Sequence, residues 1–130
     1  MAIKKLEHVG VMVNDLETSI SFYRDILGLD LIEHLQLEDS AIQLVFLGNK
    51  ETGQIFVELV SGRNKNYPDE GKVNHIAFTV ENIEEEIERL KSLKVIFTNT
   101  EILSFKNGTK YIFFKGPDGE KLELFQPSGL

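Results

Sequence analysis

Val73-Asn74-His75-Ile76-Ala77-Phe78-Thr79-Val80-Glu81-Asn82-Ile83-Glu84 is a short apolar run with a histidine near its start, followed by the acidic opening of a helix. The chain carries a similar passage earlier, at Leu6-Glu7-His8-Val9-Gly10-Val11-Met12-Val13-Asn14-Asp15-Leu16-Glu17. His75 follows His8 by 67 positions in 130, so the repeat is about half the chain. At that offset His8/His75, Val13/Val80 and Glu17/Glu84 are identical, and Ile20 falls on Ile87. Val9/Ile76, Gly10/Ala77, Val11/Phe78 and Leu16/Ile83 are similar in kind. A repeat of this length implies two copies of one supersecondary unit.

Outward from the first copy, Lys5 to Val13 reads as a strand, with Val9, Val11 and Val13 on one face and His8, Gly10 and Met12 on the other. Gly10 leaves space beside His8. Asp15 is placed to cap a helix carrying Leu16, Ile20, Tyr23 and Leu27 at helical spacing, and Gly28 stands where a glycine would end it. Strands follow at Asp30–Leu37, Ala41–Gly48 and Gln54–Val60, broken by the turn-like Glu38-Asp39-Ser40 and Gly48 to Gly53. In Gln54–Val60, Glu58 faces away from Ile55, Val57 and Leu59. The polar stretch Ser61 to Lys72 is a connecting loop.

The second copy restarts at Val73. Ile76, Phe78 and Val80 share one strand face; His75, Ala77 and Thr79 share the other. Asn82 and Glu85 have capping-box spacing, Glu84 to Glu86 load the first helical turn, and Ile83, Ile87 and Leu90 form a buried stripe. Strands are predicted at Lys94–Glu101, Thr109–Lys115 and Glu120–Gln126, the last two joined by a turn at Gly116-Pro117-Asp118-Gly119. The expected class is α+β: two tandem βαβββ modules, about 1–62 and 73–130 around the loop 61–72, in one domain. The sheets would lie side by side as a concave mixed sheet, with the helices on the outer face. The other face would carry His8, Glu58, His75 and Glu123.

Composition bounds the partners. A length of 130 residues with 42% hydrophobic and 27% charged content suits a single soluble domain. No apolar run approaches a membrane span, and the N-terminus has no signal-peptide pattern. Without cysteine there is neither a disulfide framework nor a thiolate metal site, and a cytoplasmic location is the default. The net charge of −7 argues against nucleic acid and says little about a small-molecule substrate, the expected partner, because one local basic cluster could still hold an anion.

Two histidines and two glutamates occupy repeat-equivalent strands: His8 with Glu58, 50 residues on, and His75 with Glu123, 48 residues on. Two imidazoles and two carboxylates suit a divalent ion such as Ni²⁺, Zn²⁺, Co²⁺, Fe²⁺ or Mn²⁺. A carboxylate between strong strand formers is costly to bury without a cationic partner, and a metal would supply one. Four protein ligands leave two positions of an octahedral shell for water or substrate. Each residue alone reads more simply, as a hydrogen-bonded histidine or a solvated glutamate; the duplicated pairing favours a metal. His34 has no repeat partner and reads as surface.

The chain resembles the vicinal-oxygen-chelate superfamily of glyoxalase I, methylmalonyl-CoA epimerase, fosfomycin- and bleomycin-resistance proteins and extradiol dioxygenases. The resemblance rests on Leu6-Glu7-His8-Val9-Gly10-Val11, Ser21-Phe22-Tyr23-Arg24-Asp25-Ile26-Leu27-Gly28-Leu29, Val57-Glu58-Leu59, Asn74-His75-Ile76-Ala77-Phe78 and Gly116 to Leu124. A carboxylate at position 58 and Pro117-Asp118-Gly119 look most like glyoxalase I. The resemblance then implies a lactoylglutathione lyase-like isomerase with Ni²⁺ or Zn²⁺ as the foremost metals. It implies Glu123 as the base, Glu58 acting opposite it, and a homodimer. Two positions depart from glutathione-using members: Met12 stands in place of a frequent arginine and Gly62 in place of a frequent asparagine. Arg63, Lys65, Lys106 and Lys110 are the cations available to hold an anionic thiol such as glutathione. The rival readings are an epimerase acting next to a thioester carbonyl and a non-catalytic drug-sequestering protein.

Overall fold

The computed structural model describes residues 6–36, 41–62 and 73–128. The chain forms two compact units, Met1–Tyr67 and Pro68–Leu130. In the first, β1 (Val9–Met12), helix α1 (Leu16–Ser21), β2 (Asp30–Gln36), β3 (Gln43–Asn49) and β4 (Gln54–Ser61) build a four-stranded sheet in the order β1-β4-β3-β2. In the second, β5 (Ile76–Thr79), α2 (Ile83–Ser92), β6 (Leu103–Ser104), β7 (Lys110–Lys115) and β8 (Lys121–Gln126) build the same sheet, β5-β8-β7-β6. This is the α+β, tandem βαβββ arrangement expected from the repeat.

The duplication extends to individual hydrogen bonds. β1 runs parallel to β4 and β5 parallel to β8; the other strand pairings among the described residues are antiparallel. Past each parallel pair the ladder gains one more bond, Val13 N–H to Val60 O (2.9 Å) and Val80 N–H to Phe125 O (3.0 Å). Each helix then starts on a side-chain cap. Asp15 accepts from Thr18 N–H and Asn82 from Glu85 N–H, both at 3.1 Å, which satisfies one orphan donor of each first turn.

The cores are built from the faces that the alternation predicted. Val11, Val13, Val57 and Leu59 are buried with Ile20 and Tyr23; Leu122, Leu124, Ile112 and Phe114 are buried with Ile83, Ile87 and Leu90. Among the described residues no helix is long and apolar enough to cross a membrane.

Three local expectations are corrected. Regular pairing begins at Val9 and Ile76, one residue after each histidine, so His8 and His75 sit at strand entrances. Beyond Ser21 the first helix widens into a π-helical turn, Phe22–Ile26, in which Leu27 N–H reaches Phe22 O at 3.0 Å, before ending at Gly28 with φ +85°. The strand predicted over Lys94–Glu101 is absent as such. Lys94 takes φ 66° to close α2, and Phe97 makes an isolated bridge to Phe114. Next to that bridge the Asn99 side chain accepts the Phe113 N–H at 3.0 Å, taking the donor that a continuing ladder would use. The edge strand is Leu103–Ser104 instead. The predicted turn at Glu38-Asp39-Ser40, the start of the first strand at Lys5, the end of the second at Leu37 and nearly all of the 61–72 loop lie outside the described residues.

Candidate metal centre

Glu58 stands on the central strand β4, between Gly10 of β1 and Phe46 of β3. Glu123 stands on β8 between Ala77 of β5 and Phe113 of β7. Both carboxylates leave the sheet face opposite the core-facing Val57/Leu59 and Leu122/Leu124, because strand neighbours alternate. The space left by Gly10 opens beside Glu58: an added Cβ would lie 3.6 Å from Glu58 Oε1, so even alanine, the residue at the equivalent position 77, fits without overlap.

Each carboxylate meets its own histidine. His8 Nε2 lies 3.5 Å from Glu58 Oε1, and His75 Nε2 lies 3.2 Å from Glu123 Oε1. Each imidazole is set edge-on to a phenylalanine, His8 on Phe46 (6.0 Å, 84°) and His75 on Phe113 (5.4 Å, 79°). Phe46 and Phe113 have no polar side-chain atom to draw notice in the sequence, yet they are 67 positions apart, the offset of the histidines. That coincidence was the available signal for them.

The second carboxylate is the more enclosed of the two. Glu123 is only 6% exposed. Burial pushes its carboxyl above the usual carboxylate range, against the pull of His75 and Lys121. Lys121 extends its ammonium over the Phe113 ring, 4.4 Å from the centroid. Asn74 Oδ1 lies 2.9 Å from His75 Nδ1 and accepts its N–H. The Nε2 lone pair of the neutral ring then points toward a carboxylate oxygen. Two acceptors at that separation call for a proton or a cation between them. The donor set therefore fits a divalent ion: a nitrogen lone pair and a poorly solvated carboxylate converge in one module, and the same two side chains repeat in the other.

Within each unit the predicted ligands come as a pair, and among the described residues neither unit gathers three or more histidine, aspartate or glutamate side chains. His34 is exposed, with Nε2 2.7 Å from Gln43 Oε1, as its surface reading required. Lys110 is engaged by Glu84 at 3.0 Å, so it is tied to α2 rather than held ready for an anionic ligand. Lys106 is exposed; Arg63 and Lys65 lie outside the described residues.

The chain belongs to the glyoxalase/bleomycin resistance protein/dioxygenase superfamily, whose family model matches residues 5–124. It is 37% identical over 123 residues to the uncharacterized protein YwbC of Bacillus subtilis, covering 95% of this chain and 98% of that one. It is 35% identical over 128 residues to a probable lactoylglutathione lyase of Synechocystis, covering 95% of each. Among solved structures, the trypanothione-dependent glyoxalase I of Leishmania major aligns with a TM-score of 0.77 at 25% identity, over 95% of this chain and 87% of that one.

Proposed function

We propose that the protein is a metal-dependent isomerase of the glyoxalase I type. It converts the hemithioacetal of an α-ketoaldehyde and a thiol into a 2-hydroxyacyl thioester. The observation that carries the reading is the repeated approach of a histidine Nε2 to a glutamate Oε1, once in each module. The likeness of the chain to the probable lactoylglutathione lyase of Synechocystis supports it.

His8, Glu58, His75 and Glu123 would hold the ion, Ni²⁺ or Zn²⁺ foremost. When bound, it polarises the adjacent substrate oxygens and stabilises the negative charge that develops on them. Glu123 takes the proton from the carbon bearing sulfur and delivers it to the neighbouring carbonyl carbon, while the hydroxyl proton passes to the neighbouring oxygen, with no net gain or loss of electrons. Its enclosure suits that task, because a poorly solvated carboxylate is a stronger base than a fully solvated one. Glu58 acts on the opposite side of the substrate. Gly62 and Met12 leave the thiol open, with glutathione as one candidate. The reading includes a cytoplasmic homodimer acting on a small molecule.

The test is metal analysis of the purified protein, then an assay with methylglyoxal and glutathione or another low-molecular-weight thiol. Glu123→Gln should keep the metal and lose turnover. A protein that binds neither Ni²⁺ nor Zn²⁺ is not this enzyme, and a Glu123→Gln variant with undiminished turnover assigns the base wrongly.

A further inference from the structure

The two ligand histidines differ in what holds their far nitrogen. His75 Nδ1 meets Asn74 Oδ1 at 2.9 Å, and that oxygen can only accept. The proton of the neutral ring therefore sits on Nδ1 and the lone pair on Nε2, the atom that faces Glu123. His8 has no such arrangement. Its Nδ1 is buried with no hydrogen-bond partner among the described residues, and the position equivalent to Asn74 is Glu7. A proton on His8 Nδ1 would be a buried donor without an acceptor, whereas a proton on Nε2 points toward Glu58 Oε1, 3.5 Å away.

We propose that Asn74 is a positioning residue. It locks His75 in the tautomer that a metal requires and makes the second module the pre-organised half of the centre. The inference rests on His75 being a ligand. A cation reaching His75 Nε2 finds a free lone pair. At His8 the Nε2 proton must first leave to solvent while Nδ1 takes one up, so the first module adapts after the second has engaged. Asn74 itself is exposed and touches neither ion nor substrate in this role, so its replacement leaves the core intact.

The experiment uses the full-length, metal-free protein with ¹⁵N-labelled histidine. Long-range ¹H–¹⁵N correlations read the protonation of each ring nitrogen, and so each tautomer, directly. Wild-type His75 should be the Nδ1–H form and His8 the Nε2–H form. Asn74→Ala should shift His75 toward Nε2–H and raise the Zn²⁺ dissociation constant about ten-fold, the usual scale for losing a partner behind a ligand. Asn74→Asp keeps an acceptor in place and should restore both. A wild-type His75 already in the Nε2–H form overturns the proposal, as does an Asn74→Ala variant with tautomer and affinity unchanged. Should the wild type bind no Zn²⁺ or Ni²⁺, the isomerase reading falls, and the tautomer of His75 still decides whether Asn74 controls it.

Discussion

Phe46 and Phe113 hold equivalent places in the two modules: each is paired in register with the glutamate of its own sheet and set edge-on to the histidine. Their rings fill the floor beside each His–Glu pair, so they fix where the imidazole can swing. Phe113 also meets the Tyr111 ring near perpendicular at 5.8 Å and carries the Lys121 ammonium over its face. Phe113→Leu keeps most of the apolar volume and removes the aromatic contacts, worth about 0.5–1.5 kcal/mol for a ring pair. A thermal melt should show that loss, and metal affinity should fall with it because His75 is freed. Unchanged affinity alongside the expected melt would mean that Phe113 serves packing alone.

The second helix gives a prediction about stability with no bearing on the metal. Asn82→Ala removes the acceptor of the Glu85 N–H and should cost about 1 kcal/mol. Leu90→Ala empties a fully buried site and should cost about 2–5 kcal/mol. Denaturant titration of both variants orders the two effects. A larger loss for the cap than for the core leucine would contradict the packing described for α2.

Glu84 and Glu123 should give opposite pH dependences. Lys110 holds the exposed Glu84 carboxyl below the usual carboxylate range, so its contribution is present above that range and is lost as pH falls through the lowered value. Burial holds Glu123 above the range, so its contribution is fullest at low pH and is lost as pH rises through the raised value. In metal-free protein, Glu84→Gln should match wild type in acid and fall below it toward neutrality. Glu123→Gln should match wild type in acid and equal or exceed it toward neutrality. Melting curves from acid to neutral pH check both signs.

Gly62 and Gly28 both have positive φ, +90° and +85°, but their surroundings differ. Gly28 has open space where a Cβ would stand; at Gly62 a Cβ would overlap the Ala41 carbonyl oxygen. Gly28→Ala should therefore cost only the left-handed conformation, about 1–2 kcal/mol. Gly62→Ala must also displace backbone and should cost more. Any larger side chain at position 62 would meet the same overlap through its Cβ. Equal losses for the two variants would show that the chain at Ala41 yields freely.

The candidate histidine–glutamate pairs were legible in the sequence because the chain repeats the passage that carries each histidine. His8 and His75 align at one fixed offset, along with the caps Asp15 and Asn82 and the buried faces around them. Glu58 and Glu123 are 65 apart, two short of that offset, so their equivalence becomes plain only in the strand register opposite Phe46 and Phe113. Where local side chains overrule the pattern, the sequence misled. Val95 and Phe97 alternate with Ile96 as a strand would, but the Asn99 amide captures the ladder donor at Phe113. The π-helical turn at Phe22–Ile26 has no periodic signature short enough to read. Asn74 was invisible as a partner of His75 because adjacent strand residues point to opposite faces, and these two lie just before the strand begins.

Metal addition should stabilise the fold, since an ion bound only by the folded chain lowers its free energy by mass action. At a free concentration of about 100 times the dissociation constant the gain is about 2.7 kcal/mol. For a chain of this size that corresponds to a rise in melting temperature on the order of 10 °C. Ni²⁺ and Zn²⁺ should each produce the rise, and excess chelator should reverse it. His8→Ala and His75→Ala should each shrink it, with the larger effect at His75, whose module holds the more enclosed carboxylate. His34→Ala should leave it intact, because that ring is engaged with Gln43 on the surface. A melting temperature indifferent to metal in the wild type, or equally sensitive in His34→Ala and His75→Ala, would remove the basis for placing the ion at these four side chains.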